Sequence, residues 1–203
     1  MIKNVVFDMG NVMIHFDPAR FVQREGFSGK DAQLLVQEVF QTAEWVQMDR
    51  GTLTEEQALE QMVERLPQHL HAAAKHLVYD WDKPIIPMEG MQELCRELKN
   101  AGYGLYLLSN ARLCQHDYWP RIPGNEQFDG TLISADYKLM KPEKAIYELL
   151  YQKFSLKPEE CIFVDDSPTN IEGSIQAGMK GIVFYGDVER LRAALRREGV
   201  TGV

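Results

Sequence analysis

Cysteine is scarce in this 203-residue chain: Cys95, Cys114 and Cys161 are the whole set, odd in number and far apart. That excludes the disulfide framework of a small secreted domain and reads as free thiols in a reducing compartment, so a cytoplasmic location is expected. Long apolar runs are missing too. No stretch approaches the roughly 18 uninterrupted apolar residues of a membrane span. The opening Met1-Ile2-Lys3-Asn4-Val5-Val6-Phe7-Asp8 has too short an apolar run, and no small-residue cleavage site, for a secretory signal. Basic runs are absent beyond Arg196-Arg197, and the net charge is −8, so a nucleic-acid partner is not expected. Neither internal repeats nor low-complexity tracts occur. The acidity does not exclude an anionic substrate, because a bound cation and local donors dominate the field inside a site.

What remains is ordinary globular material, 45% hydrophobic and 26% charged, enough for one domain or a core with a smaller insertion. Ile2–Phe7 is a short β-branched run ending in Asp8, the pattern of a strand buried on both faces. Similar runs recur at Gly104–Leu108, Cys161–Val164 and Gly181–Tyr185. Helical spacing lies between them: Glu89–Lys99 through Met91, Leu94, Cys95 and Leu98; Lys141–Phe154 with Pro142 in its first turn; and Val188–Arg197 before Gly199. Strand alternating with helix argues for a parallel sheet covered on both faces.

Asp17 to Tyr79 differs, with no convincing strand. Asp31–Val46 carries apolar residues at helical spacing. Thr54-Glu55-Glu56-Gln57 is a capping box ahead of Ala58, Leu59, Met62 and Val63, and Gln68–Val78 continues the pattern. A small helical bundle inserted after the first strand is expected, with the chain returning to the sheet near Pro84-Ile85-Ile86-Pro87.

Four polar clusters stand at or near strand ends: Asp8; Ser109-Asn110; Lys141 in Met140-Lys141-Pro142-Glu143; and Asp165-Asp166-Ser167. Each alone has an ordinary explanation as a turn, a cap or a solvated first turn. Together they converge, because an open parallel sheet binds ligands beyond the carboxyl ends of its strands. The residue types suit phosphoryl transfer. A carboxylate such as Asp8 can attack phosphorus, given a hard cation held by Asp8 and the Asp165-Asp166 pair; oxygen ligands favour Mg²⁺. Lys141 supplies a point charge for phosphate oxygens, and Ser109 and Asn110 supply donors.

The set Phe7-Asp8-Met9-Gly10-Asn11-Val12, Leu107-Leu108-Ser109-Asn110, Lys141-Pro142-Glu143 and Phe163-Val164-Asp165-Asp166-Ser167 resembles the four motifs of the haloacid dehalogenase-like hydrolase superfamily. Asn170-Ile171-Glu172-Gly173 is similar as well. Asp49-Arg50-Gly51 with Thr54, and Trp119-Pro120, look like the alpha-D-glucose-1-phosphate phosphatase-like members. The resemblance implies an α/β fold: a Rossmann-like parallel-sheet core from residues 1–16 and 84–203, and a small inserted α-helical cap over 17–83. It implies Asp8 as nucleophile and metal ligand, the Gly10 carbonyl and Asp166 as further ligands, and Asp165 orienting the metal or its waters. Ser109 and Asn110 would bind phosphate, and Lys141 would bridge Asp8 and phosphate. The expected cofactor is Mg²⁺ and the expected partner a small phosphorylated metabolite, a sugar phosphate such as glucose 1-phosphate.

One position departs from the pattern. The acid/base Asp that most such phosphatases carry two residues after the nucleophile is Gly10 here. His15, Asp17 or a cap residue are the candidate substitutes. Arg50 is either a substrate contact or a turn residue, and Trp119 either packs or lies near the pocket. His69, His71 and His76 read as a solvated face. Two alternatives to the phosphatase stay open: metal-free dehalogenation of small haloacids by the same nucleophile, and a non-catalytic module that binds phosphometabolites.

Overall fold

The structure is a computed structural model describing residues 1–203. Five short strands form one wholly parallel sheet. They are β1 (Asn4–Phe7), β2 (Gly104–Ser109), β3 (Gly130–Ile133), β4 (Cys161–Asp165) and β5 (Lys180–Val183), in the order β3-β2-β1-β4-β5. In β1, Val5 and Phe7 join one apolar cluster and Val6 the other, so both faces of the strand are buried. Helices α6 (Met91–Asn100) and α11 (Val188–Arg197) cover the first face; α9 (Lys144–Phe154) and α10 (Pro168–Gln176) cover the second.

Three sequence expectations need correction in the fold. β3 is a strand that the apolar pattern did not signal. It has only four residues, opens on glycine and contains Thr131. Tertiary contacts build it: Asp129 donates its amide to the Leu105 carbonyl (2.7 Å) and accepts the Leu105 amide on its carboxylate (2.9 Å), pinning the chain to β2. Helix α9 begins at Lys144, with Glu143 outside it, and not at Lys141. Residues 140–143 instead form a turn, closed by the Glu143 amide on the Met140 carbonyl (2.8 Å).

Between β1 and α6 the chain is helical: α1 (Pro18–Arg24), α2 (Gly29–Leu35), α3 (Ala43–Arg50), α4 (Glu55–Glu64) and α5 (His71–Tyr79). The Thr54–Gln57 capping box opens α4 as expected. The single helix expected over Asp31–Val46 is broken. After a π-helical turn at Val36–Phe40, Gln41 leaves helical geometry and Thr42 caps α3 by accepting the Trp45 amide at 3.2 Å. Entry to and exit from this segment lie side by side, with the His15 amide on the Ile86 carbonyl and the Met88 amide on the Met13 carbonyl, both 2.9 Å. Its aromatic residues cluster tightly, Phe40 on Trp45 at 4.6 Å and Phe16 on Trp81 at 5.0 Å between ring centroids. The three cysteines are free thiols, and no helix is long and apolar enough to cross a membrane.

Candidate active site

Sheet order alone brings two motifs together. β1 lies between β2 and β4, where the direction of strand succession reverses, and the crevice at such a reversal is the usual ligand site of an open α/β sheet. Phe7 pairs with both Leu107 and Val164, so the next residue, Asp8, lies level with Asp165. Its amide donates to the Val164 carbonyl at 2.9 Å. Lys141 reaches in from the 140–143 turn. Its Nζ sits 2.7 Å from Asp8 Oδ1 and 2.7 Å from Asp165 Oδ2.

Asp165 is saturated with donors. Oδ1 accepts the Ser167 amide (2.8 Å), Oδ2 accepts Lys141, and Asn170 Nδ2 stands 3.1 Å from both oxygens. Asp166 is half-exposed, and its Oδ2 accepts Asn11 Nδ2 at 3.0 Å. Asn11 holds that position in left-handed backbone (φ 54°), which asparagine tolerates, and accepts the Phe16 amide on its own Oδ1. Carboxylate oxygens of Asp8, Asp165 and Asp166 all fall within 4.8 Å of one another.

Three carboxylates share one lysine, and burial makes that imbalance costly. Burial pushes the Asp8 carboxyl up to about 7 against the pull of Lys141, with the Asp165 charge adding to the rise. Burial also raises Asp166, opposed by Asn11. Burial works against the Lys141 charge, but Asp8 and Asp165 outweigh it and hold the ammonium above the ordinary lysine value. The donor set fits a hard divalent cation: oxygen ligands, excess negative charge and few competing donors. The Asp8 oxygen away from Lys141 and the Asp166 oxygen away from Asn11 accept no side-chain donor, whereas both Asp165 oxygens are occupied.

A cavity of about 200 Å³ opens onto Asp8, Gly10, Asp166, Ser109 and Asn110. All the strand-end candidates except the enclosed Asp165 and Lys141 therefore face one space. Asn110 does something the sequence did not suggest. Its side chain accepts the Lys141 amide (2.9 Å) and donates to the Lys141 carbonyl (3.0 Å), so it clamps the backbone that carries the lysine.

Of the substitutes expected for the missing acid/base, the two named ones fall elsewhere, and a cap residue stays open. His15 is outside the cavity lining, and Asp17 caps α1 by accepting the Arg20 amide at 3.2 Å. Arg50 turns away to pair with Glu143 at 2.6 Å, and Trp119 packs on Phe128 at 5.1 Å. His69 and His76 pair with Asp31 and Glu25 on the exterior.

The motifs signalled the far wall only through Asp49, in Asp49-Arg50-Gly51. Trp45 and Asp49 come from α3, Trp81 from the segment's end, and Arg112 from the loop after β2. Arg112 is buried at 4% exposure and lies over the Trp45 ring at 4.3 Å. Burial pushes Asp49 up to about 7, against Arg112 and the Trp45 indole, while Asp8 adds to the rise.

Residues 2–178 match the family model of the haloacid dehalogenase-like hydrolases, described as "Hydrolase". The chain belongs to that family. This haloacid dehalogenase-like hydrolase is 28% identical over 189 residues to the sesquiterpene phosphatase astK of Aspergillus oryzae, covering 89% of this chain and 88% of that protein. It is 24% identical over 190 residues to the D-ribitol-5-phosphate phosphatase of Bacteroides thetaiotaomicron, covering 89% and 90%. In fold it is similar to the family enzyme bt-2542 of Bacteroides thetaiotaomicron, solved with magnesium and inorganic phosphate. That likeness has a TM-score of 0.73 at 21% identity and covers 94% of this chain and 99% of that one.

Proposed function

We propose that this hydrolase is a magnesium-dependent phosphatase that cleaves a small phosphomonoester through an aspartyl phosphate on Asp8. One observation carries the reading. A buried carboxylate, half-neutralised by Lys141 and flanked by a second, half-exposed carboxylate, faces a cavity of about 200 Å³. The phosphatase relatives and the magnesium and phosphate bound to bt-2542 support it.

Asp8, Asp166 and the Gly10 carbonyl would hold the ion, which when bound offsets the charge of the phosphate dianion. A carboxylate oxygen of Asp8 attacks phosphorus, and the ester oxygen leaves as the aspartyl phosphate forms. Lys141 favours the ionised form of Asp8 and aims it, with Asp165 fixing its ammonium; Ser109 and Asn110 bind the phosphoryl group. Residues 17–83 act as the cap, and their aromatic wall excludes bulk water from the intermediate. A cavity of about 200 Å³ lies below the roughly 300–1,000 Å³ of common ligand sites, which favours a small leaving group such as a sugar. The free cysteines are consistent with a cytoplasmic site of action.

Turnover of p-nitrophenyl phosphate with Mg²⁺, lost in EDTA and in Asp8→Asn, is the expected result. A sugar-phosphate panel that includes glucose 1-phosphate then identifies the substrate. Inactivity across the whole panel, or halide release from 2-haloacids in EDTA, would overturn the phosphatase assignment.

A further inference from the structure

With Gly10 in place of the usual carboxylate, the aspartyl-phosphate route lacks a group to protonate the leaving oxygen and to activate water. The backbone does not impose this gap. A Cβ built on Gly10 meets nothing closer than Phe16 Cβ at 3.7 Å, an ordinary contact, and the residue is not in left-handed backbone. A side chain would fit there, so the chain either dispenses with the proton relay or supplies it from another wall.

Besides Asp8 and Asp166, the one carboxylate that lines the cavity is Asp49. We propose that Asp49, delivered from α3 across the cavity, is the general acid and base of the reaction, replacing the carboxylate missing at Gly10. This rests on the phosphatase reading above.

Asp49 is held as a positioned group is held. Its carbonyl accepts Ser134 Oγ, which also accepts the Ala111 amide at 2.8 Å, so the end of α3 is tied to the loops after β2 and β3. Gly51 (φ 75°) then turns the chain so close to Ala135 that a Cβ would meet its Cα at 2.9 Å. The charge of Arg112, stacked on Trp45, pulls the Asp49 carboxyl down, and one of its buried amino nitrogens has no hydrogen-bond partner. The other ionisable groups that act on Asp49 or are acted on by it are Asp8 from β1, and Cys114 and Tyr118 beyond β2. On α8 (Ser134–Tyr137), Asp136 is paired with His116 at 3.1 Å. Burial leaves Asp49 near 7, where a carboxyl can both give and take a proton.

The proton balance closes. In the first step Asp8 forms its bond to phosphorus, the phosphorus–ester bond breaks, and the Asp49 carboxylic acid protonates the departing alkoxide. In the second step the Asp49 carboxylate takes a proton from water, the resulting hydroxide attacks phosphorus, and the bond to Asp8 breaks. Inorganic phosphate leaves, Asp8 is an ionised carboxylate again, and Asp49 is protonated again.

The test compares wild type, Asp49→Asn, Gly10→Asp and the double variant on two substrates. One is p-nitrophenyl phosphate, whose leaving group needs little protonation; the other is the alkyl or sugar phosphate that the wild type hydrolyses fastest. Asp49→Asn should lose about 10²–10⁴-fold in kcat on the alkyl phosphate. On p-nitrophenyl phosphate it should release a burst of about one nitrophenolate per site and then stall, because attack survives while hydrolysis of phospho-Asp8 does not. Gly10→Asp should restore the double variant at least tenfold over Asp49→Asn. Asp49→Ser replaces Asp49→Asn if the latter does not melt like the wild type. An Asp49 variant that works within about threefold of wild type on both substrates would overturn the proposal, as would equal loss on both with no burst. A wild type without phosphatase activity would instead overturn the underlying reading.

Discussion

At the scale of single residues, the site separates carboxylates by what surrounds them. Asp165 is ringed by donors, Asp8 shares one lysine, and Asp49 lines the cavity with Trp45 and Arg112. Only the last lies outside the strand-end motifs, and its raised value has a consequence for stability. A carboxyl at about 7 in the folded chain and 3.8 in the unfolded one binds its proton more tightly when folded. Its contribution is therefore fully present below the unfolded value and is lost as pH rises through the window from about 4 to 7. Asp49→Asn should abolish that loss. Without metal, the variant's melting temperature relative to wild type should climb between pH 5 and pH 8. Parallel melting curves across that range would show that Asp49 is not held protonated by its surroundings. Asp8 and Asp166 could be read from the sequence because strand ends announce them, and Lys141 because Lys141-Pro142-Glu143 stands beside them in the motif set. Asp49 was named there only within Asp49-Arg50-Gly51, without a role, and Arg112 not at all, because the two meet only when α3 packs against the loop after β2.

At the scale of elements, positioning comes from close contact between pieces distant in the chain. Helix α10 performs two tasks: Asn170 grips Asp165, and Gly173 lets the helix rest on the turn that carries Lys141. A Cβ at Gly173 would stand 2.7 Å from the Pro142 carbonyl oxygen and 2.8 Å from Pro142 Cβ, so helix or turn must shift. Gly173→Ala should cost about 1–3 kcal/mol of stability. It should also lower kcat with p-nitrophenyl phosphate more than it raises KM, because the displaced group is the lysine beside the nucleophile. Unchanged melting and kcat would show that the turn yields freely. Elements with strong local signals, such as α11 and the Thr54 capping box, were legible in the sequence to within a residue. β3 and the break at Gln41–Thr42 were not, since β3 depends on Asp129 bonding to β2, and the break depends on a threonine turning from helix interior to cap.

At the scale of the whole molecule, strand order gathers charge that the fold does not neutralise by itself. β1 between β2 and β4 forces Asp8, Asp165 and Asp166 together, and Lys141 answers only part of their charge. A divalent cation that binds this cluster in the folded chain, and has no such cluster in the unfolded one, must stabilise the fold by RT ln(1 + [L]/Kd). At a hundred times Kd that is about 2.7 kcal/mol, or roughly 5–10 °C in melting temperature for a chain of this size. Mg²⁺ should therefore raise the melting temperature by that order relative to EDTA, at ionic strength matched with NaCl. Matching matters because a chain of net charge −8 also responds to salt in general. Inorganic phosphate should add to the shift only with Mg²⁺ present, since the carboxylates repel it otherwise. Asp166→Asn should remove most of the magnesium effect while leaving the EDTA melting point near or above that of the wild type, because it deletes a repelling charge. A wild-type melting temperature indifferent to millimolar Mg²⁺ would mean that the three carboxylates are a structural ion-pair network built around Lys141 and not a metal site.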